Sequence, residues 1–173
     1  MFPDKPLNRQ EAIEYIKECV KFATVPIYVN EALVSQNIPD IAMPVTPEWE
    51  FSNRVSVTPD IFGDIDIASD GNGEIWVSLT NIKIDDTSVS GSLLLRSGHN
   101  NIQTFRSGFS LAPTTTSSVY QFGGIANLTL LRPTAGREAL ESQSQQALQD
   151  IITNLERLIS EEFSKHNNCD RSN

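Results

Sequence analysis

The chain contains few of the residues on which most metal and nucleophilic sites depend. Its 173 residues include two cysteines and two histidines. Cys19 and Cys169 lie 150 positions apart, a spacing typical of free thiols and of a reducing cytoplasm rather than of a disulfide framework. His99 lies in a Gly-His-Asn-Asn turn sequence, where we expect a solvated side chain. The chain has no nucleophile elbow, phosphate loop or Cys-x-x-Cys motif, so we predict no catalytic residue, no cofactor and no metal.

Long apolar runs are also missing. The longest apolar runs, of which Leu93–Leu95 is one, fit within a strand, whereas a membrane helix needs roughly 18 or more apolar residues. The first six residues, Met1 to Pro6, lack the apolar region of a secretory signal. We therefore expect a cytoplasmic protein that does not enter a membrane.

Acidic residues are absent from one long segment. Residues 87–137 contain no Asp or Glu, while residues 1–86 carry 15 carboxylates and six Lys or Arg, so the net charge of −9 belongs to the first half. The pI near 4.6 argues against nucleic acid and anionic membrane surfaces as partners, because both attract clustered Lys and Arg. It permits a basic protein partner.

The length favours one domain spanning 1–173. Its N-terminal part predicts a helix over 8–24, because Asn8 is a suitable N-cap, Glu11 has capping-box spacing, and apolar residues recur at helical intervals. Residues 26–48 begin with Pro26 and predict a connector, because Pro39, Pro44 and Pro47 prevent long regular elements apart from one helical turn starting at Asn30.

From residue 49 to 132 the apolar pattern alternates, which predicts an antiparallel meander of about six to seven strands. The sequence Ser69-Asp70-Gly71-Asn72-Gly73 is typical of a hairpin turn. A change of phase near Thr80–Asn81 predicts a β-bulge. The fold class is therefore α+β, with the sheet flanked by the N-terminal helix and a long C-terminal helix.

The C-terminal helix is predicted over 135–165, followed by a flexible polar tail over 166–173. A helix of that length spans about 45 Å, against about 20 Å for a strand. Its apolar stripe therefore either bends around the sheet or is covered by a second copy of the chain, which would make the protein a homo-oligomer through this helix.

Clustered carboxylates at Asp64, Asp66 and 70–74 raise the question of a cation site. The spacing departs from that of a calcium loop, so the sequence favours a hairpin turn. For hydrolase chemistry, the least favoured alternative, the strand region offers a small set of carboxylates: Glu48, Glu50, Asp60, Asp64 and Asp66.

The face of the sheet opposite the Ile75-Val77-Leu79 row offers the predicted partner-binding residues. Alternation places Trp76, Leu94, Arg96 and Arg106 away from their core-facing neighbours, and this composition is typical of interface anchors. Two alternatives stay open: a helix of the same chain covers this face, or a partner protein does.

In size, charge and element order the chain is similar to the small cytoplasmic chaperones and immunity proteins that hold one partner, a resemblance that implies non-catalytic binding and carries no motif. The leading hypothesis is a chaperone-like, immunity-like or adaptor-like domain that binds another protein. The alternative is a small-molecule or lipid carrier with a cavity between the sheet and the long helix.

Overall fold

The computed structural model describes residues 8–38, 41–44, 46–58, 61–84 and 87–169. Helix α1 covers Arg9–Val20, and Asn8 caps it as predicted, its Oδ1 accepting a hydrogen bond from the Gln10 backbone N–H at 3.1 Å. The helix ends four residues before the predicted boundary at 24.

The connector contains a short hairpin of β1 (Tyr28–Val29) and β2 (Ala32–Leu33) instead of the predicted helical turn. Asn30 and Glu31, the two residues between the strands, have φ values of +49° and +67°. Two consecutive left-handed residues make the tight turn that joins antiparallel strands, and Asn tolerates that conformation well. Pro39, one of the prolines on which the connector prediction depends, lies outside the described residues.

A mixed sheet of eight strands forms the centre of the fold, which confirms the α+β class. In spatial order it runs β3-β4-β5-β6-β10-β7-β8, with β9 also paired to β7. The strands are β3 (Trp49–Thr58), β4 (Ile61–Ser69), β5 (Glu74–Ile84), β6 (Thr87–Arg96), β7 (Asn101–Arg106), β8 (Phe109–Ser110), β9 (Thr114–Thr115) and β10 (Gly123–Leu128). The predicted bulge is confirmed by a register shift between Leu79 and Ile82.

The prediction of a simple meander is wrong beyond β6. Strand β10 lies between β6 and β7, antiparallel to the first and parallel to the second. Gly123 and Gly124 permit this insertion, because a Cβ at these positions would lie 1.6 Å from the His99 carbonyl oxygen and 2.1 Å from that of Leu94. In the sequence this Gly-Gly pair suggests the interruption of a strand, but in the structure it is where β10 begins and enters the sheet.

Helix α2 covers Ser142–Cys169 rather than 135–165. Residues 133–141 form turns whose backbone groups pair locally, for example Thr134 N–H to Ala139 O at 2.9 Å and Glu141 N–H to Arg132 O at 2.9 Å. The predicted tail from 166 is wrong as far as Cys169, which is still helical; residues 170–173 lie outside the described residues.

The inner face of the sheet packs on α2. The helix contributes a buried stripe to this core, namely Leu148, Ile151, Ile152, Leu155, Leu158 and Ile159, and the strands contribute buried residues such as Ile67, Val77, Leu93 and Leu95. The apolar stripe of α2 is thus covered by its own sheet as far as Ile159. Among the described residues, no helix combines the length and apolar character required to cross a bilayer.

A second, smaller core lies on the outer face. Phe22, two residues after the end of α1, is 1% exposed and packs edge-to-face on Phe105 with ring centroids 4.8 Å apart. Leu94 and Ile41 complete this outer cluster, and Trp76 packs against its margin. The cover for this face therefore comes from α1 and the connector of the same chain, whereas the long helix lies on the opposite face.

Candidate functional site

The structure places the four predicted partner-binding residues in different surroundings. Trp76 and Leu94 are register partners on β5 and β6. Leu94 is 2% exposed because Phe22 and Ile41 cover it. It is a core residue of the outer cluster and offers no surface to a partner, while Trp76 remains half-buried beside it.

Arg96 is exposed and lies one row beyond Leu94 on the same face. Its Nε lies 2.6 Å from a carboxylate oxygen of Glu74, its register partner on β5. Both side chains are well exposed, and ion pairs of this kind contribute at most about 1 kcal/mol to stability. The guanidinium therefore remains accessible to a partner.

Arg106 does not join the other three. The structure assigns Phe105 to the outer cluster, so strand alternation places Arg106 on the inner side of the sheet, at the end of β7. The sequence interpretation took Phe105 as core-facing in the same sense as Leu93 and Leu95. The structure thus brings together Trp76, Leu94 and Arg96 and separates Arg106 from them.

The sequence interpretation missed a group of exposed apolar residues on α1, on the β1–β2 hairpin and in the segments on either side of the hairpin. Among the side chains that the structure describes, ten large apolar ones are well exposed, and six of these fall between residues 15 and 38. We call these six the hairpin surface: Tyr15, Ile16, Val25, Tyr28, Leu33 and Ile38. Tyr28 and Leu33 are register partners and are 63% and 48% exposed, so their side chains share one open face of the hairpin.

The predicted apolar stripe of α1 is incompletely covered. Within Arg9–Val20 the one buried residue is Val20, while Ile16 remains exposed; the buried Phe22 and Ala23 of the predicted stripe lie beyond the end of the helix. Tyr15 is 73% exposed, and its hydrogen bond to Cys19, one turn later on the helix, raises the pKa of the phenol. The phenol therefore stays a neutral hydrogen-bonding group at physiological pH. A helix stripe without sufficient cover was the sequence signal that could have indicated this surface.

Acidic residues occupy the outer face of β3 and β4. Asp64 and Asp66 alternate with the buried Ile65 and Ile67, so both carboxylates lie on the outer side of β4. Glu50, on the neighbouring strand β3, is exposed. It pairs with Ala68, which in turn pairs with Trp76, so Glu50 lies on the same outer face. We call Glu50, Asp64 and Asp66 the acidic strip.

The predicted hairpin turn over 69–73 is confirmed. Asp70 Oδ1 accepts hydrogen bonds from the N–H groups of Asn72 at 2.9 Å and Glu74 at 3.2 Å. Desolvation raises the pKa of Asp70, but the hydrogen bonds from Asn72 and Glu74 outweigh it and hold the pKa below its ordinary value. Within the described part of the chain, no three His, Cys, Asp or Glu side chains are grouped to bind a metal ion. Asp60, among the hydrolase candidates, lies outside that part.

Two spaces lie near α2. Between the sheet and the middle of the helix is an apolar cavity of about 20 Å³, lined by residues such as Ile65, Leu79 and Leu155, which has room for about one water molecule. At the N-terminal end of the helix is an open cleft of about 580 Å³. Its lining mixes charged residues, Arg132, Glu141 and Asp150, with apolar ones from β5 and β6.

Comparison of the chain with protein-family models, with curated proteins and with solved structures finds no match in any of the three. The arguments about function therefore depend on the residues and their placement.

Proposed function

We propose that the protein is a non-catalytic binding domain that holds a partner protein through the hairpin surface. The observation that carries the proposal is the Tyr28–Leu33 pair on the hairpin, whose side chains are 63% and 48% exposed. Tyr28 and Leu33 are adjacent across the hairpin, and contiguous exposed apolar side chains commonly mark binding sites. Aromatic residues are also the most frequent anchors of interfaces.

The partner that fits this surface has apolar side chains and a basic margin. The acidic strip lies on the same outer face of the sheet as Phe22, which covers Leu94. Trp76, at the edge of the outer cluster, lies between Phe22 and the strip. Opposite charges at the rim of an interface accelerate association without adding much affinity. Arg96, which pairs with Glu74, is exposed and is positioned to donate a hydrogen bond to an acceptor on the partner. A cytoplasmic location is part of the proposal and is supported by the free-thiol pattern of the sequence.

The experiment uses a photo-crosslinking amino acid at Tyr28 in the source cell, followed by purification of the crosslinked partner. Binding of that partner to the double variant Tyr28→Ser/Leu33→Ser is then measured by calorimetry. We expect at least about a tenfold loss of affinity, or about 1.4 kcal/mol, with an unchanged melting temperature. Val119→Ser, at a similarly exposed apolar side chain on a distant loop, is the matched control and should bind normally. Equal affinity of the double variant and the wild type would refute the proposal.

A small-molecule carrier is the second candidate, favoured by the open cleft at the start of α2. Its volume of about 580 Å³ falls within the range of ligand sites, whereas the apolar cavity under the middle of α2 is far too small for a lipid. Native mass spectrometry of gently purified protein tests this alternative. A co-purified small-molecule mass supports it, and a clean protein mass counts against it.

A further inference from the structure

The turn between β4 and β5 contains the one Asn-Gly dipeptide of the chain, Asn72-Gly73. Both residues are exposed, and Gly73 has a φ value of +93°. Apart from its chain neighbours, no atom of the described residues lies within 4 Å of the point that a Cβ of Gly73 would occupy. Glycine also has more backbone freedom than any other residue. No side chain therefore hinders the approach of the Gly73 backbone nitrogen to the carboxamide of Asn72.

The hydrogen bonds of this turn leave that nitrogen free. Asp70 Oδ1 accepts the N–H groups of Asn72 at 2.9 Å and of Glu74 at 3.2 Å, on either side of Gly73. Among the described residues, the Gly73 N–H has no acceptor. The carboxamide of Asn72 is held through its amino group, since Nδ2 donates to Asp70 Oδ2 at 3.2 Å and to Asp70 O at 3.4 Å. An unpaired amide nitrogen therefore directly follows the Asn72 carboxamide in the chain.

We propose that Asn72 is a site of spontaneous deamidation, in which the Gly73 backbone nitrogen is the nucleophile. The nitrogen loses its proton to solvent hydroxide and bonds to Cγ of Asn72, which closes a succinimide ring. The bond from Cγ to Nδ2 breaks, and Nδ2 takes up a proton from water and leaves as ammonia, so that hydroxide is regenerated. A water molecule then opens the ring at either carbonyl. Cleavage of the bond between the nitrogen and Cγ gives aspartate, and cleavage of the bond between the nitrogen and the main-chain carbonyl carbon gives isoaspartate.

Asp70 also precedes a glycine, but its carboxylate is protected from the same reaction. The Gly71 N–H is already used, because it donates to Ser69 Oγ at 3.2 Å. Desolvation raises the pKa of Asp70, but the hydrogen bonds from Asn72 and Glu74 outweigh it and hold the pKa below its ordinary value. The group is therefore an anion at neutral pH, and an anionic carboxylate repels a deprotonated nitrogen. The turn thus directs the reaction to Asn72.

The other asparagines lack this combination of features. Each one before the C-terminal residue is followed by a residue that carries a side chain. Asn100 is exposed in the turn before β7, but Asn101 follows it, and the side chain of Asn101 hinders the approach of its own backbone nitrogen. Asn127 lies in β10, where its Oδ1 accepts a hydrogen bond from the Gly108 N–H at 3.0 Å. Asn72 should therefore react first.

Deamidation changes the charge and the hydrogen bonds of the turn. Both products carry a carboxylate in place of the Asn72 carboxamide, so the donor to Asp70 is lost and two carboxylates face each other. Glu48 already lies against the turn, since a Cβ on Gly71 would collide with its carboxylate. The reaction adds one negative charge to the net charge of −9, and we expect the modified turn to hold β4 and β5 less firmly. The proposal uses no residue of the hairpin surface, so it and the proposed function can fail separately.

Ageing of the purified full-length protein tests the site. Samples are kept at mildly alkaline pH, where the deprotonated amide nitrogen is more abundant, and are withdrawn at intervals. Ion-exchange chromatography should resolve a form with one more negative charge, and peptide mapping by mass spectrometry should locate aspartate and isoaspartate at position 72. We expect Asn72 to react at least about tenfold faster than Asn100 in the same sample.

Two variants complete the experiment. Asn72→Gln is the matched control: it keeps a carboxamide but needs a larger ring to react, so it should not accumulate the acidic form. Asn72→Asp reproduces the aspartate product and should lower the melting temperature by about 2–4 °C, because the donor to Asp70 is lost. The proposal is overturned if Asn72 keeps its amide while other asparagines react, or if Asn72→Gln becomes acidic as fast as the wild type. An unchanged melting temperature of Asn72→Asp would overturn the proposed effect on the turn.

Discussion

Replacing Phe22 by alanine tests whether α1 holds the outer face closed. The ring is 1% exposed, lies 4.8 Å from the Phe105 ring in an edge-to-face arrangement, and packs with Leu94 and Ile41. Phe→Ala at a fully buried site costs about 3–5 kcal/mol, since transfer energy is lost and a cavity remains. For a chain of this size, that loss corresponds to a fall of about 6–20 °C in melting temperature.

Equilibrium unfolding in urea, followed by tryptophan fluorescence, measures the loss directly. Trp76 packs at the margin of the same cluster, so its emission should report the change in this cluster. Phe163→Ala is the matched control: the same substitution at a ring that is 39% exposed near the end of α2 should cost less than half as much.

The result that refutes the reasoning is a loss below about 1 kcal/mol for Phe22→Ala, the range of ordinary surface changes. Such a result would mean that α1 contributes little to closing the outer face. Leu94 would then be available to a partner after all, and the original partner-binding hypothesis for this residue would regain its basis.

Three further predictions follow from individual contacts. Gly108→Ala should cost at least about 1–2 kcal/mol, since φ is +80° and a Cβ would lie 2.1 Å from the Phe22 carbonyl oxygen; thermal denaturation measures it. Asp70→Ala should destabilise the protein at neutral pH, and the difference from wild type should vanish as pH falls below about 3.8 through the lowered pKa, measured by urea unfolding at several pH values. Gln149→Ala removes two hydrogen bonds to the Ser117 backbone, of 2.8 and 2.6 Å, and should cost about 1–3 kcal/mol and speed amide exchange at Ser117.

Features governed by near neighbours in the sequence were predictable. The Asn8 cap, the Asp70 hairpin turn and the bulge near Asn81 each depend on a few adjacent residues, and the structure contains all three. The start of α2 was misplaced because helical periodicity continues through residues whose backbone groups instead close a local turn. There the bridge between Pro133 and Leu140 competes with helix formation.

Features that depend on distant pairings were not predictable from periodicity. Strand β10 is inserted between β6 and β7, which brings Ile125 beside Leu94 and Asn127 beside Phe105. Alternation identifies two faces on each strand but does not say how the faces of separate strands correspond. For this reason the sequence interpretation assigned Phe105 to the inner face, and it wrongly grouped Arg106 with the predicted partner-binding residues of the outer face.

This topology explains why residues 87–137 contain no Asp or Glu. It holds β6, β7 and β10, the strands covered by α2 on one face and by the α1 end on the other, so that Leu93, Leu94 and Leu95 are all buried. Strands covered on both faces exclude charge. The acidic strip, in contrast, lies on β3 and β4, where Glu50 and Asp64 are exposed on the outer face. The distribution of charge along the sequence therefore follows the packing of the sheet. Strands packed on both faces carry no carboxylates, and the exposed carboxylates lie on the strands of the acidic first half.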